Sequence, residues 1–177
     1  MPFVRTTTLA VILLTIAVSF PLSAQEPASV LGSWQIINPS AAEAARDAAI
    51  DSVVEELMFI ARPIARRRMS SELPVHQRIR LTQNSSGLRA VIGPYDFTTT
   101  ADGSPQTIED PWDNEVRVSQ QLSEGRLRQV FRAENGVLYH DLRVNEAGDR
   151  LTLRVRVTSP RLPSDGRYRY NYRRTGN

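Results

Sequence analysis

The sequence contains no cysteine and no lysine. Without cysteine there is no disulfide, no thiolate nucleophile or metal ligand, and no thioether-linked lipid. All 22 basic residues are arginine, a replacement so complete that it reads as compositional bias rather than chemistry. Histidine is scarce too: His76 and His140 are the only two, and they lie far apart in the chain. No His, Asp and Glu residues recur at metal-ligand spacing. No metal, cofactor or catalytic residue is therefore assigned, and an enzyme is not expected. His140 beside Asp141 resembles a base with its orienting carboxylate, but adjacent strand residues point to opposite faces. Glu109-Asp110-Pro111-Trp112-Asp113 reads as an ordinary acidic loop. The net charge of +3 is too small to suggest a nucleic-acid partner, although contact with an anionic lipid surface remains open.

The one long apolar run stands at the N-terminus. Arg5 precedes Leu9–Phe20, which is broken only by Thr15 and Ser19, and Leu22-Ser23-Ala24 ends in the small residue that signal peptidase prefers. The run falls short of the roughly 20 apolar residues that span a bilayer. The expectation is a cleaved signal peptide over residues 1–24 and a single domain over residues 25–177, long enough for a proper core. The localisation that follows is periplasmic or secreted, and an exported chain without cysteine suggests a bacterial envelope.

After a polar lead-in, Val30–Ile37 alternates as a strand, with Gly32, Trp34 and Ile36 on one face. Asn38-Pro39-Ser40 stops it. Ser40 and Glu43 form a capping box, and Ile50, Val53, Val54, Leu57, Ile60 and Ile64 repeat at helical spacing. One long helix is expected over about residues 40–69. Asp47, Asp51, Glu55 and Glu56 come early in it and Arg62, Arg66, Arg67 and Arg68 late, which suits the helix dipole. Pro63 should kink or split it. From His76 onward the pattern is of strands: His76–Gln83, Gly87–Ile92, Tyr95–Thr100, and a loop over Ala101–Asp113 with room for a short edge strand.

Glu124-Gly125, Asn135-Gly136 and Ala147-Gly148 stand where two-residue hairpin turns belong. Placing a turn at each pairs Val118 with Phe131, Phe131 with His140 and His140 with Val155. The neighbouring layer then reads Gln120, Gln129, Leu142 and Leu153. All three turns keep mostly apolar residues on one face. The other face carries Arg117, Arg128, Arg132, Arg143, Arg154 and Arg156, with Asp141 opposite Arg154 as an ion pair. A last strand, Arg167–Arg173, sets Tyr168, Tyr170 and Tyr172 on one side. The fold expected is mainly β: an antiparallel up-and-down β-barrel of about nine or ten strands with one long helical insertion after the first, because closure removes exposed edges.

Leu31-Gly32-Ser33-Trp34 resembles the Gly-x-Trp opening of the lipocalin and fatty-acid-binding protein (calycin-like) superfamily. Strand, helical insertion and a meander ending in a Tyr/Arg-rich strand is similar to the fatty-acid-binding branch in particular. The resemblance implies a barrel with Trp34 at its closed end, packed against an arginine such as Arg173 or Arg174, and with the helix as a lid. That family holds a carboxylate with inward arginines and an Arg-x-Tyr in the last strand. Here no arginine of the last strand is followed two residues later by tyrosine. Arg143 matches the other inward arginine by position, yet the register places it outside. Fatty-acid specificity therefore does not carry over. Either the helix covers a cavity or it lies in an open, curled sheet and leaves none.

Gln120, Gln129 and His140 are the polar residues of an otherwise apolar inner face. They either converge on a ligand or hydrogen-bond one another within a filled core. The tyrosines either stack on a ligand or line the wall. The reading favoured by the sequence is an exported lipocalin-like protein that binds a small apolar or amphipathic molecule through Trp34, Phe97, Gln120, Gln129, Phe131, His140 and Tyr170. The alternative is a non-catalytic envelope protein acting through its Arg-rich surface, or through the basic helix end, on a protein partner or anionic lipid.

Overall fold

The computed structural model describes residues 28–110 and 113–176. The expected signal segment, and Pro111 and Trp112 of the acidic loop, lie outside the described residues. β1 (Gly32–Ile36) is followed by α1 (Pro39–Glu55) and α2 (Arg62–Glu72). The meander then runs through β2 (Arg78–Asn84), β3 (Gly87–Ile92), β4 (Tyr95–Thr99), β5 (Gln106–Glu109), β6 (Glu115–Ser123), β7 (Arg126–Ala133), β8 (Gly136–Val144), β9 (Arg150–Thr158) and β10 (Gly166–Gly176). All ten strands belong to one antiparallel sheet, ordered β4-β3-β2-β1-β10-β9-β8-β7-β6-β5. The last strand thus returns to the first, and the sheet curls into a nearly closed barrel, as expected. The remaining gap is bridged beyond β4, where Gly103 N–H donates to the Gln120 carbonyl at 2.8 Å and Leu122 N–H to the Ala101 carbonyl at 2.9 Å.

Two of the three hairpin registers are as the turns imply: Val118 faces Phe131, and His140 faces Val155. The middle one differs. Ala133 pairs with Gly136, so the loop is Glu134-Asn135, and Phe131 faces Leu138 rather than His140. Gly136 is not the turn residue that its position after Asn135 suggests. It is a strand residue, and a Cβ there would stand 2.5 Å from the Thr158 carbonyl oxygen of the next strand. Moving the turn by one position shifts the pairing by two, so every side chain keeps its face. Gln129, set opposite Leu142 by the sequence, now stands opposite His140.

The helical insertion follows β1, but it is two helices rather than one run over 40–69. α1 is capped by Asn38, whose Oδ1 accepts the Ala41 N–H at 3.1 Å, instead of by a Ser40–Glu43 box. α1 ends at Glu55. Pro63 opens α2 within its first turn, where a missing N–H costs nothing. Inside one continuous helix it would have lost a bond and met a carbonyl. Arg62 satisfies the carbonyls left at the break, donating to Glu55 O at 2.7 Å and Leu57 O at 3.0 Å. The charges do not lie along one dipole either: Asp51 of α1 pairs with Arg66 of α2 at 2.8 Å. The break also ends the apolar stripe. Ile50, Val53 and Val54 are buried, whereas Ile60 and Ile64 are 79% and 71% exposed, because the chain turns before either can reach the core.

The core divides in two. Trp34, Ile36, Leu81, Leu127, Leu142, Leu151 and Tyr172 belong to the cluster that fills the barrel. The helices bring Ile50, Val53, Val54, Met69 and Leu73 against Leu138, Val157 and Tyr168. Trp34 donates its indole N–H to the Val30 carbonyl at 2.9 Å, and the Arg174 guanidinium lies 4.2 Å from its ring centroid. Arg174 also donates to the carbonyls of Gly148, at 2.6 Å, and Leu31, at 2.8 Å. Burial holds its pKa below the usual arginine value. Arg174→Met should therefore cost about 2–3 kcal/mol in urea unfolding, since a desolvated cation–π contact and charged hydrogen bonds go together. The neighbouring exposed Arg173→Met should change stability by no more than about 0.5 kcal/mol.

Candidate functional site

The alternation of β6–β10 sends one residue in two inward, and the two helices close over the mouth that those residues surround. Between them lies a cavity of about 400 Å³. Leu57, Ala65, Met69 and Leu73 line it from the helical side, and Phe97, Phe131, Leu138, Val155 and Tyr170 line it from the sheet. The helices thus cover the barrel without filling it. Phe131 is edge-on to both Phe97 and His140, with centroids 5.7 and 5.2 Å apart.

The polar residues of the inner face form a directed chain. Gln120, Gln129, His140 and Val155 stand in one row across β6–β9. Gln120 Nε2 donates to the Leu88 carbonyl at 2.8 Å and to Thr99 Oγ1 at 3.0 Å. Gln129 Nε2 donates to Gln120 Oε1 at 2.6 Å, and Gln129 Oε1 lies 3.3 Å from His140 Nδ1. The Thr99 hydroxyl in turn donates to the Thr100 carbonyl at 3.1 Å. Both glutamines are fully buried, and His140 is 8% exposed. Burial, with a smaller contribution from the charge of His76, pushes the His140 pKa down to about 3, so the ring is neutral at ordinary pH.

The residues singled out in the sequence separate into two groups. Phe97, Phe131, His140 and Tyr170 line the cavity. Trp34, Gln120 and Gln129 do not: Trp34 sits in the barrel core under Arg174, and the glutamines lie behind His140 with their amides engaged. The sequence did not single out Leu88 and Thr99, which anchor the chain from β3 and β4. Pairing across the barrel gap leaves no periodic signal. Tyr168, half-buried, stands opposite Val155 on β10 with its ring 5.2 Å from that of Tyr170. Burial pushes its hydroxyl up to about 12 and raises that of Tyr170 as well. Tyr170 is 3% exposed, and its buried hydroxyl finds no well-formed hydrogen bond, with the Tyr168 hydroxyl as its polar neighbour.

The arginines of β6–β9 stand on the outer face. Arg143 is exposed and holds Asp141 at 3.2 Å, together with Arg126 at 2.6 Å. Asp141 does face Arg154 in the ladder, but its ion pairs are with Arg126 and Arg143, not with Arg154 as the sequence suggested. Arg68 and Arg161 are the only arginines among the described residues that line the cavity, and both are exposed. Arg46 of α1, bound to Asp47 at 2.8 Å, acts electrostatically on Tyr168 and Tyr170 but does not line it. Among the described residues no group of three or more His, Cys, Asp or Glu could hold a metal ion.

No family model matches the sequence, and no curated protein matches it. Solved structures do. The chain is similar to fatty-acid-binding protein 1 of Echinococcus granulosus, at 14% identity and a TM-score of 0.51, over 82% of this chain and 97% of that one. It is also similar to a secretory abundant heat-soluble protein of Ramazzottius varieornatus, at 14% identity and a TM-score of 0.55, over 82% of this chain and 95% of that one. At such identity the likeness is one of fold, and the fold is the calycin-like barrel.

The neutral state of His140 has a consequence for stability. Unfolded, the ring titrates near its ordinary value of 6.5; folded, near 3. As pH falls between those values the unfolded chain takes up the proton first, so stability is full above about pH 7 and declines with acid. The decline should approach about one kcal/mol per pH unit by about pH 5 in urea unfolding. His76, also lowered by burial, contributes in the same direction. His140→Gln should flatten the slope to the remainder due to His76.

Proposed function

We propose that this chain is an exported calycin-like barrel that takes up a small apolar or amphipathic molecule between its sheet and its two helices. The observation that carries the reading is the apolar cavity of about 400 Å³, a size within the range of small-molecule sites. Burial of a hydrocarbon chain against Leu57, Met69, Leu73, Phe97 and Phe131 would supply the affinity, at roughly 25 cal/mol per Å² of apolar surface removed from water. The likeness in fold to a fatty-acid-binding protein supports a lipid-like occupant. Release into the periplasm or the medium rests on the N-terminal signal-like segment.

The Arg-x-Tyr and inward arginine with which a fatty-acid-binding protein would hold a carboxylate are not present here. Uptake and specificity are accordingly separate questions. For uptake, native mass spectrometry of the protein freshly isolated from a bacterial periplasm should show extra mass that organic extraction removes. Leu138→Trp, which projects an indole into the cavity, should reduce uptake of an offered lipid mixture about tenfold or more with the fold retained by circular dichroism. A bare polypeptide mass with no uptake would reject this reading.

A second reading has its own observation. The turn between the helices exposes Met58, Phe59 and Ile60 by about four-fifths each, and Ile64 nearly as much. Arg66, Arg67 and Arg68 follow directly, all exposed, with Arg66 held by Asp51 and Arg68 by Glu72. Apolar side chains bordered by arginine suit an anionic bilayer surface, and this surface need not compete with a ligand inside. Binding to phosphatidylglycerol vesicles should weaken about tenfold in Phe59→Ser/Ile60→Ser. Arg66→Ser/Arg67→Ser/Arg68→Ser should remove its salt dependence, while vesicles of phosphatidylcholine alone should bind weakly throughout.

A further inference from the structure

The hydrogen-bond chain behind the cavity fixes which atom of His140 meets a ligand. A backbone carbonyl only accepts. The Leu88 carbonyl therefore obliges Gln120 to turn its NH2 toward β3, and its oxygen then faces Gln129. Gln129 must answer with its own NH2, which leaves Gln129 Oε1 toward His140 Nδ1. That oxygen can only accept, so the imidazole proton sits on Nδ1. In the neutral ring Nε2 is then a bare lone pair. It has no hydrogen-bond partner among the described residues, and the ring lines the cavity. The Tyr170 ring lines the same cavity, with its hydroxyl buried beside that of Tyr168.

We infer that the molecule held in this cavity carries a neutral hydrogen-bond donor, a hydroxyl at the end of an apolar body, which donates to His140 Nε2. This rests on the ligand-binding reading above and goes beyond it by naming the head group. A carboxylate is the wrong partner: it has no proton to give, and an oxygen lone pair would meet a nitrogen lone pair. Among the described residues no buried cation stands inside to neutralise it: the lining arginines, Arg68 and Arg161, are exposed, and Arg46 is tied to Asp47 outside the lining. A hydroxyl has the proton that His140 Nε2 can accept. An acceptor left unmet once a ligand covers it costs more than a made bond gains, which turns the unpaired Nε2 into a selection for such a head.

The test uses the purified full-length protein, with dodecanol, dodecyl methyl ether and dodecanoate each offered at equilibrium by displacement of a fluorescent apolar probe. Dodecanol should bind about tenfold or more tightly than the ether, which has the same body and no proton to donate. Dodecanoate should be the weakest of the three. In His140→Phe the preference for the alcohol over the ether should shrink to within about twofold. That variant strands Gln129 Oε1, so a second measurement stands beside it in the wild-type protein. The 15N resonance of His140 Nε2 should be that of an unprotonated nitrogen, and it should move on adding dodecanol but not the ether. An Nε2–H tautomer, equal affinity for alcohol and ether, or a preference for dodecanoate would overturn the hydroxyl assignment and leave the cavity reading standing. Failure of all three compounds to bind would overturn both.

Discussion

The Leu88 carbonyl on β3 can only accept a hydrogen bond, and the arrangement of the barrel's interior follows from it. The bond from Gln120 crosses the one place where the sheet has no continuous ladder, between β4 and β5. That bond and the Thr99 contact tie β6 to β3 and β4 through side chains, beside the few backbone bonds that residues 101–103 make to β6. From there the donors point one way, through Gln129 to His140. Four polar side chains are thus buried without an unmet amide, as a low-dielectric interior demands. The chain ends at the cavity wall, where the histidine presents an acceptor rather than a charge. Closure of the barrel and the polarity of its pocket are one network.

The closed end depends on a different contact with the same logic. Trp34 is too large and too polar at its nitrogen to be buried without partners. The structure supplies the Val30 carbonyl for the N–H and the Arg174 guanidinium for the ring. Arg174 in turn spends its own donors on carbonyls from two other segments. Since β10 pairs with β1, this cluster fastens the first strand to the last. The helices are then free of that task. Their inward residues pack on Leu138, Val157 and Tyr168 at the opposite mouth, and the turn between them is left apolar and exposed. A lid held by side-chain packing, with its connecting turn in solvent, is the part of such a fold with the lowest local stability.

Much of this could be read from the residues. Alternation through Arg117–Val157 gave the correct inward and outward faces everywhere, because a strand's period of two survives any even shift of register. It survived the one shift that occurred, at Glu134-Asn135. The same shift is why the polar residues appeared to lie in two layers when they form a single row: a glycine that looked like a turn former was needed for its close approach to Thr158. The helical stripe was legible as far as Leu57 and failed at Ile60 and Ile64. Periodicity cannot say where a helix stops when the next one resumes in a different direction. Pro63 marked the place, but whether it bends one helix or begins another depends on Arg62 finding the carbonyls of the first.

By itself the sequence determined a strand count of about nine or ten, the up-and-down order, the face of nearly every side chain and the outward place of the arginines on β6–β9, since these follow from local period and turn chemistry. The tertiary structure decided the rest. Whether the helical insertion fills the barrel or covers it depends on how two helices pack at one mouth. Which polar side chains meet depends on contacts across a gap, between residues with no periodic relation to one another. The lone pair of His140 follows from a carbonyl four strands' worth of sequence away, and only the folded barrel brings the two into one chain of hydrogen bonds.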